Sequence, residues 1–176
     1  MAGESRKSGL LTQIAAQIRG VIFDVDGVLT DGRIIYSDDG HELKQFHVQD
    51  GASIKLLAQN DIAIAIITGR QSSIVARRAN ELGIEHLQQG ATDKATALAE
   101  LIEHGFPSTH LCAVGDDIQD LALFNADAVT LAATVANAHP AVAEQAHFVT
   151  ERQGGNGIVV ELAELILRAQ DKWPFA

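Results

Sequence analysis

The sequence predicts a single α/β domain: a mostly parallel sheet with helices on both faces, a Rossmann-type three-layer sandwich. Three observations point there. Short apolar runs alternate with stretches of helical periodicity, and the runs are apolar throughout rather than at every second position. A chain of 176 residues has room for one sizeable core but not for two. Unbroken apolar runs suit strands covered on both faces, as parallel strands are. Composition agrees: 47% apolar and 20% charged residues are close to globular averages, which excludes a disordered or fibrous chain.

Each element has its own signal. Residues 1–9 read as a flexible lead, leaving 10–176 as the domain. Leu10, Leu11, Ile14 and Ile18 share one helical face, predicting a short helix over 10–18. Val21-Ile22-Phe23 is a strand that stops at Asp24. Two β-prone stretches flank Asp38-Asp39-Gly40, a turn signal that predicts a small hairpin flap over 33–47. A helix follows over 52–59. The isoleucine-rich run from Ile62 to Ile67 is a strand ending at Thr68-Gly69-Arg70. Ser72 caps a helix that reaches Leu82, and Gly83 ends it. Beyond it lie a strand over 86–88, a helix over 93–104, and a strand over 111–114 that ends at Gly115-Asp116-Asp117. A helix over 118–125, weaker strands at 128–131 and 147–149, and a last helix over 158–170 complete the chain.

Charge narrows the function classes. Thirteen basic and 23 acidic residues give a net charge of −10, so the chain lacks the positive footprint that nucleic acid or an anionic membrane requires. No apolar run reaches the roughly 18 residues of a membrane helix. The one cysteine, Cys112, forms no intrachain disulfide and reads as a small buried hydrophobe in a strand. The N-terminal stretch has neither the compact apolar region nor the small-residue cleavage site of a secretory signal, so a cytoplasmic protein is expected.

The chemistry gathers at strand ends. Asp24, Thr68 and Asp116 each directly follow an apolar strand, and in an open parallel sheet those carboxyl ends line the ligand crevice. Asp24 and Asp26 stand two residues apart where the chain leaves its strand, so both can reach one site. Asp116, Asp117 and Asp120 arrive from another strand end. Two carboxylates about 4 Å apart repel by about 4 kcal/mol at an effective dielectric of 20. The cluster therefore needs a counter-charge or a shared proton, and Lys94 offers part of that charge and a divalent cation more. Oxygen-only donors favour Mg²⁺ over zinc.

These residues carry a resemblance to the haloacid dehalogenase superfamily of phosphatases. Asp24-Val25-Asp26-Gly27-Val28-Leu29-Thr30 is similar to its first motif, Thr68 to its second, Lys94 to its third, and Gly115-Asp116-Asp117 with Asp120 to its fourth. The resemblance implies that Asp24 is a nucleophile forming an aspartyl-phosphate, and that Asp26 is the general acid and then the base. It implies that Thr68 and Lys94 hold the phosphoryl oxygens, and that Mg²⁺ is held by Asp24, by Asp26 through its carbonyl, and by Asp116. An alkyl halide would not call for that metal, so dehalogenation is disfavoured.

Cap domains, common in this superfamily, have no room here: the hairpin fills most of the space after the first motif, and one helix and one strand fill that between Thr68 and Lys94. An uncapped site implies closure by a neighbouring subunit. The hairpin, with Ile34, Ile35, Tyr36, Leu43 and Phe46, is the expected contact, and a homotetramer with the glycine-rich tail, Gly154-Gly155-Asn156-Gly157, also at or near an interface is the expected assembly. Within the superfamily the resemblance narrows to the family of phosphatases of 3-deoxy-D-manno-octulosonate 8-phosphate, through Phe46-His47-Val48-Gln49-Asp50-Gly51, Ile66-Ile67-Thr68-Gly69-Arg70, Gly115-Asp116-Asp117 and that tail. That likeness implies a sugar acid phosphate as substrate, contacted by Asp26, His47, Val48, Gln49, Asp50, Gly51, Lys55, Arg70, Arg78 and Lys94. A nine-carbon sialic-acid-type phosphate and a non-catalytic scaffold role are the alternatives. Two positions depart from the pattern: Gln49 stands where an arginine is expected, and Val160 where a basic residue is.

Overall fold

The structure, a computed structural model, describes residues 2–175, and side chains from Gly9 onward. Its frame is a six-stranded sheet of β1 (Gly20–Phe23), β4 (Ala63–Thr68), β5 (His86–Gln89), β6 (Leu111–Val114), β7 (Val129–Thr134) and β8 (Phe148–Val149). The order across the sheet is β5-β4-β1-β6-β7-β8, and every neighbouring pair is parallel. Strand order reverses direction between β1 and β6, the switch point at which open α/β sheets bind ligands. A separate two-stranded hairpin pairs β2 (Ile35–Tyr36) with β3 (Glu42–Leu43), Ile35 opposite Leu43.

Strand periodicity splits the core in two. Val21 and Phe23, Ile64 and Ile66, and Cys112 and Val114 face one side, where they pack with α1 (Ala2–Ala15), α2 (Val48–Gln59), α3 (Ser73–Leu82) and α7 (Ile158–Ala169). Ile22, Ala65, Ile67, Leu111 and Ala113 face the other, against α4 (Lys94–Glu103) and α5 (Leu121–Phe124). Both faces of the central strands are dry, which is why their sequence is apolar at every position. Cys112 is fully buried, as expected, and burial pushes its thiol pKa up, away from reactivity.

Several expectations shift. Residues Ala2–Gly9, read as a flexible lead, belong to α1, which ends at Ala15 rather than 18. Ala2, Glu4, Arg6 and Lys7 are good helix formers, and no apolar stripe is needed for them to extend a helix anchored further on. Helix α2 starts at Val48 instead of 52, because the His47 ring caps it by accepting from the Gln49 amide at 3.3 Å. The hairpin flap of 33–47 is present, but only two residues pair on each arm. Helix α3 matches closely: Ser72 caps it, and Gly83 ends it in the left-handed region at φ 74°. The short α6 (Pro140–Ala143) was not anticipated.

Candidate active site

Asp24 leaves β1 with its amide donating to the Val114 carbonyl at 3.0 Å, so the sheet itself fixes where the carboxylate points. One oxygen, Oδ2, lies 3.1 Å from Lys94 Nζ. The other, Oδ1, is buried and without a partner among the described residues. Lys94 is the first residue of α4, held there by Asp93, whose carboxylate caps the helix by accepting from the Ala95 and Thr96 amides. Its Nζ also donates to Asp120 Oδ1 at 2.5 Å, and the side chain is only 4% exposed. Burial opposes the ammonium, but the Asp24 and Asp120 charges outweigh it and raise its pKa.

Asp120 is fully buried and spoken for on both oxygens. Its Oδ2 accepts from the amides of Asp116 and Asp117 at 2.9 and 3.1 Å, tying the turn after β6 to Lys94. Asp117 is exposed and caps the next turn through the Ile118 amide at 2.7 Å. Asp116 keeps a buried, unpartnered Oδ1. Carboxylate oxygens of Asp24, Asp116 and Asp120 come within 4.8 Å of one another. With Asp120 engaged, the free oxygens of Asp24 and Asp116 are the ones able to hold a cation, and orphaned buried carboxylate oxygens fit that role.

Such crowding shows in the acidities. Burial first, then Asp120, raises the Asp24 pKa to about 6 against the pull of Lys94. Burial, then Asp24, Asp120 and Asp117, raises Asp116 to about 7. Both lie above the ordinary value of 3.8, so between about pH 4 and 7 the folded chain binds protons that the unfolded chain releases. Stability of the metal-free protein therefore falls as pH rises through that window. A divalent cation competes with those protons, so the rise in Tm on adding Mg²⁺ is expected to be larger at pH 8 than at pH 5.5, measured by thermal denaturation. Equal shifts at the two values would contradict binding at these carboxylates.

Two glycines make the close packing feasible. Gly27 has φ 93°, and a Cβ there would stand 2.0 Å from Asp116 Oδ2. Gly154 approaches from the tail, where a Cβ would lie 1.8 Å from the Gly27 carbonyl oxygen, and the Gly155 amide donates to the Val28 carbonyl at 2.9 Å. The glycine-rich tail thus braces the loop after β1 of its own chain.

Asp24, Asp26, Thr68, Arg70, Lys94 and Asp116 line one cleft of about 700 Å³ at the carboxyl edge of the sheet, with Gly69, Thr92 and Gln119 around them. Thr68 is 2% exposed at the end of β4. The other sequence candidates lie elsewhere. His47, Asp50, Gly51 and Arg78 line a small apolar crevice between α2 and α3 with Phe46. Arg78 lies over the Phe46 ring, 5.8 Å from its centre. Asp50 is buried and accepts from the Val159 amide at 2.8 Å, fastening α2 to the start of α7. Val48 and Lys55 are exposed. Gln49 accepts from Arg152 at 3.2 Å, so a cation does stand beside the position where an arginine was expected.

Sequence reasoning missed the hairpin's contribution. Lys44 reaches in to pair with Asp26 Oδ1, and Glu42 accepts from Arg70 Nη2 at 2.6 Å. The signal was there in outline: opposite charges two residues apart, alternating with exposed Leu43, mark one face of a strand as turned toward something charged.

This arrangement, a parallel sheet with acids at its switch point and a buried lysine among them, defines a class. A model described as haloacid dehalogenase-like hydrolase matches residues 86–162, and the chain belongs to that family. Among its relatives is the 3-deoxy-D-manno-octulosonate 8-phosphate phosphatase of Yersinia pestis, 46% identical over 161 residues, covering 91% of this chain and 85% of the relative. The crystal structure of the Yersinia pestis phosphatase superposes with a TM-score of 0.87 at 45% identity, covering 92% of this chain and 87% of that one. The Moraxella catarrhalis phosphatase of the same name, solved with magnesium, phosphate and the sugar acid bound, gives a TM-score of 0.87 at 43% identity over 93% of each chain.

Proposed function

We propose that this chain is a Mg²⁺-dependent phosphatase that hydrolyses 3-deoxy-D-manno-octulosonate 8-phosphate to the sugar acid and phosphate, a step in lipopolysaccharide biosynthesis. One observation carries the reading: unpartnered oxygens of Asp24 and Asp116 stand together beside a buried lysine that already neutralises the far side of Asp24. Asp24, Asp116 and the carbonyl of Asp26 would hold the ion. When bound, Mg²⁺ supplies positive charge where an anionic carboxylate must meet an anionic phosphate.

Asp24 attacks phosphorus while Lys94 and Thr68 hold the phosphoryl oxygens. The bond from phosphorus to the sugar oxygen breaks as Asp26 gives that oxygen a proton. Asp26 then takes a proton from the water that attacks the aspartyl-phosphate, which releases phosphate and restores Asp24.

A sugar acid carries a carboxylate besides its phosphate and needs cations beyond Lys94. Arg70, at the cleft, is one. His47, Val48, Gln49, Asp50, Gly51, Lys55 and Arg78 are the further substrate contacts of this proposal. They sit apart from the cleft of their own chain; exposed Val48, Gln49 and Lys55 are placed to reach the substrate of a neighbouring copy, whereas buried Asp50 and Gly51 would act by shaping that surface. Exposed Ile34, Ile35, Tyr36 and Leu43 on the hairpin supply an apolar face for such a neighbour, and a homotetramer with the hairpin and the tail at or near its interfaces is part of the same reading. So is a cytoplasmic location, in keeping with the lone buried Cys112.

The test is a parallel assay of the eight-carbon phosphate and a nine-carbon sialic-acid-type phosphate, with and without a chelator. A preference of at least about tenfold in kcat/KM for the eight-carbon substrate, lost on chelation, is expected. Preference for the nine-carbon substrate overturns the assignment, chelator-resistant turnover overturns the metal, and no hydrolysis of either leaves a non-catalytic scaffold.

A further inference from the structure

At the margin of the cleft the hairpin flap buries, against Asp26, a charged side chain that the mechanism above does not use. Residues 41–46 alternate in exposure: Leu43 points out to solvent, 52% exposed, while Glu42 and Lys44 turn inward. The Lys44 side chain is only 3% exposed. Its ionic partners among the described residues are Asp26, in direct contact through Oδ1, and Glu42 at 3.7 Å. The second Asp26 oxygen lies 3.8 Å from Arg70 Nε, and Glu42 grips the same arginine.

Burying an ammonium on a two-residue ribbon is costly unless its partner is worth holding. Asp26 is such a partner. It follows β1 in the turn Val25–Leu29, itself at non-helical φ −78° and ψ 113°, has a side chain 22% exposed, and among the described residues has none of the backbone amide contacts that fix Asp120. A carboxylate that must deliver a proton to one oxygen needs its rotamer held, and loops by themselves hold side chains poorly.

We propose that Lys44 is the positioning residue for Asp26: reaching in from the flap, it orients the carboxylate that protonates the leaving sugar oxygen, with the Glu42–Arg70 pair bracing the opposite side. This rests on the reading of Asp26 as the acid. Lys44 does not line the cleft and acts through Asp26, so its effect follows how much the departing group needs a proton. An alkoxide leaving group needs one, whereas p-nitrophenolate leaves without it.

The experiment compares Lys44→Met, Lys44→Arg and Asp26→Asn on 3-deoxy-D-manno-octulosonate 8-phosphate and on p-nitrophenyl phosphate, reading kcat/KM, which reports the steps through phosphorylation of Asp24. For Lys44→Met we expect a loss on the order of 10²-fold on the sugar phosphate and less than about threefold on the aryl phosphate. The retained aryl activity shows that the variant is folded and charged with metal. Lys44→Arg, which keeps the cation, should recover the sugar-phosphate rate to within about tenfold. Equal losses on both substrates, or none, overturn the role of Lys44. Should Asp26→Asn itself fail to discriminate between the substrates, the acid assignment falls, and the Lys44 proposal with it; discrimination by Asp26→Asn without any by Lys44→Met sinks the Lys44 proposal alone.

Discussion

Asp24→Asn is expected to lower kcat by at least about 10⁴-fold and to trap no phosphorylated protein, while leaving the fold intact. An amide oxygen is a far poorer nucleophile than a carboxylate, and a covalent route without its nucleophile has no second path through the same site. The substitution is nearly isosteric. It removes one negative charge from a cluster whose crowding already raises the Asp24 pKa to about 6, so the metal-free variant should melt no lower than the parent at pH 8. Rapid quench with labelled substrate, beside thermal denaturation, checks both halves. Turnover within tenfold of the parent would show that phosphate is displaced without a covalent bond to this residue.

Lys94→Met carries the next largest effect. Lys94 stands 3.1 Å from Asp24 and bonds Asp120, so its loss leaves three carboxylates facing one another in a nearly dry pocket. Breaking a buried charge pair from one side costs about 3–5 kcal/mol. That loss should be greatest near pH 8 and shrink toward pH 5, where protons take over part of the neutralisation. Activity should fall by about 10³-fold or more, since the proposed phosphoryl-oxygen contact and the anchor of the turn after β6 would be lost together. Mg²⁺, in contrast, should bind at least as tightly, because its nearest competing cation is gone. Urea denaturation at the two pH values and calorimetric titration with Mg²⁺ separate these effects; a weaker Mg²⁺ site would show that Lys94 shapes the site more than it competes for it.

What could be read from the sequence divides along physical lines. Central strands β1, β4 and β6 were legible because burial on both faces leaves nothing but apolar residues, and a run such as Ala63–Thr68 has few other readings. Asp24, Thr68 and Asp116 were legible for the same reason, as the first polar groups where each dry strand ends. Lys94 was legible only as a counter-charge the acids call for; its reach to Asp24 spans 70 residues of chain, and its part in holding phosphoryl oxygens came from the family likeness. The start of α2 was misplaced because histidine is an uncommon cap, and the ring of His47 does the work usually given to Ser or Asp. The hairpin's position was visible in Asp38-Asp39-Gly40, but its role was not. Glu42 and Lys44 look like ordinary solvated charges until the fold carries them against Arg70 and Asp26. His47 to Gly51, Lys55 and Arg78 came from the likeness alone, and within one chain they gather around the α2–α3 crevice or at the surface rather than in the cleft.

The ribbon of residues 35–44 is a single layer of backbone with the apolar Ile35 and Leu43 paired on its outward side, while Glu42 and Lys44 turn the other way. A sheet that thin has no interior to absorb a push. Whatever leans on Ile35 or Leu43 therefore displaces Glu42 and Lys44 by a similar amount, so pressure on the outside of the flap is passed to the Asp26 carboxylate.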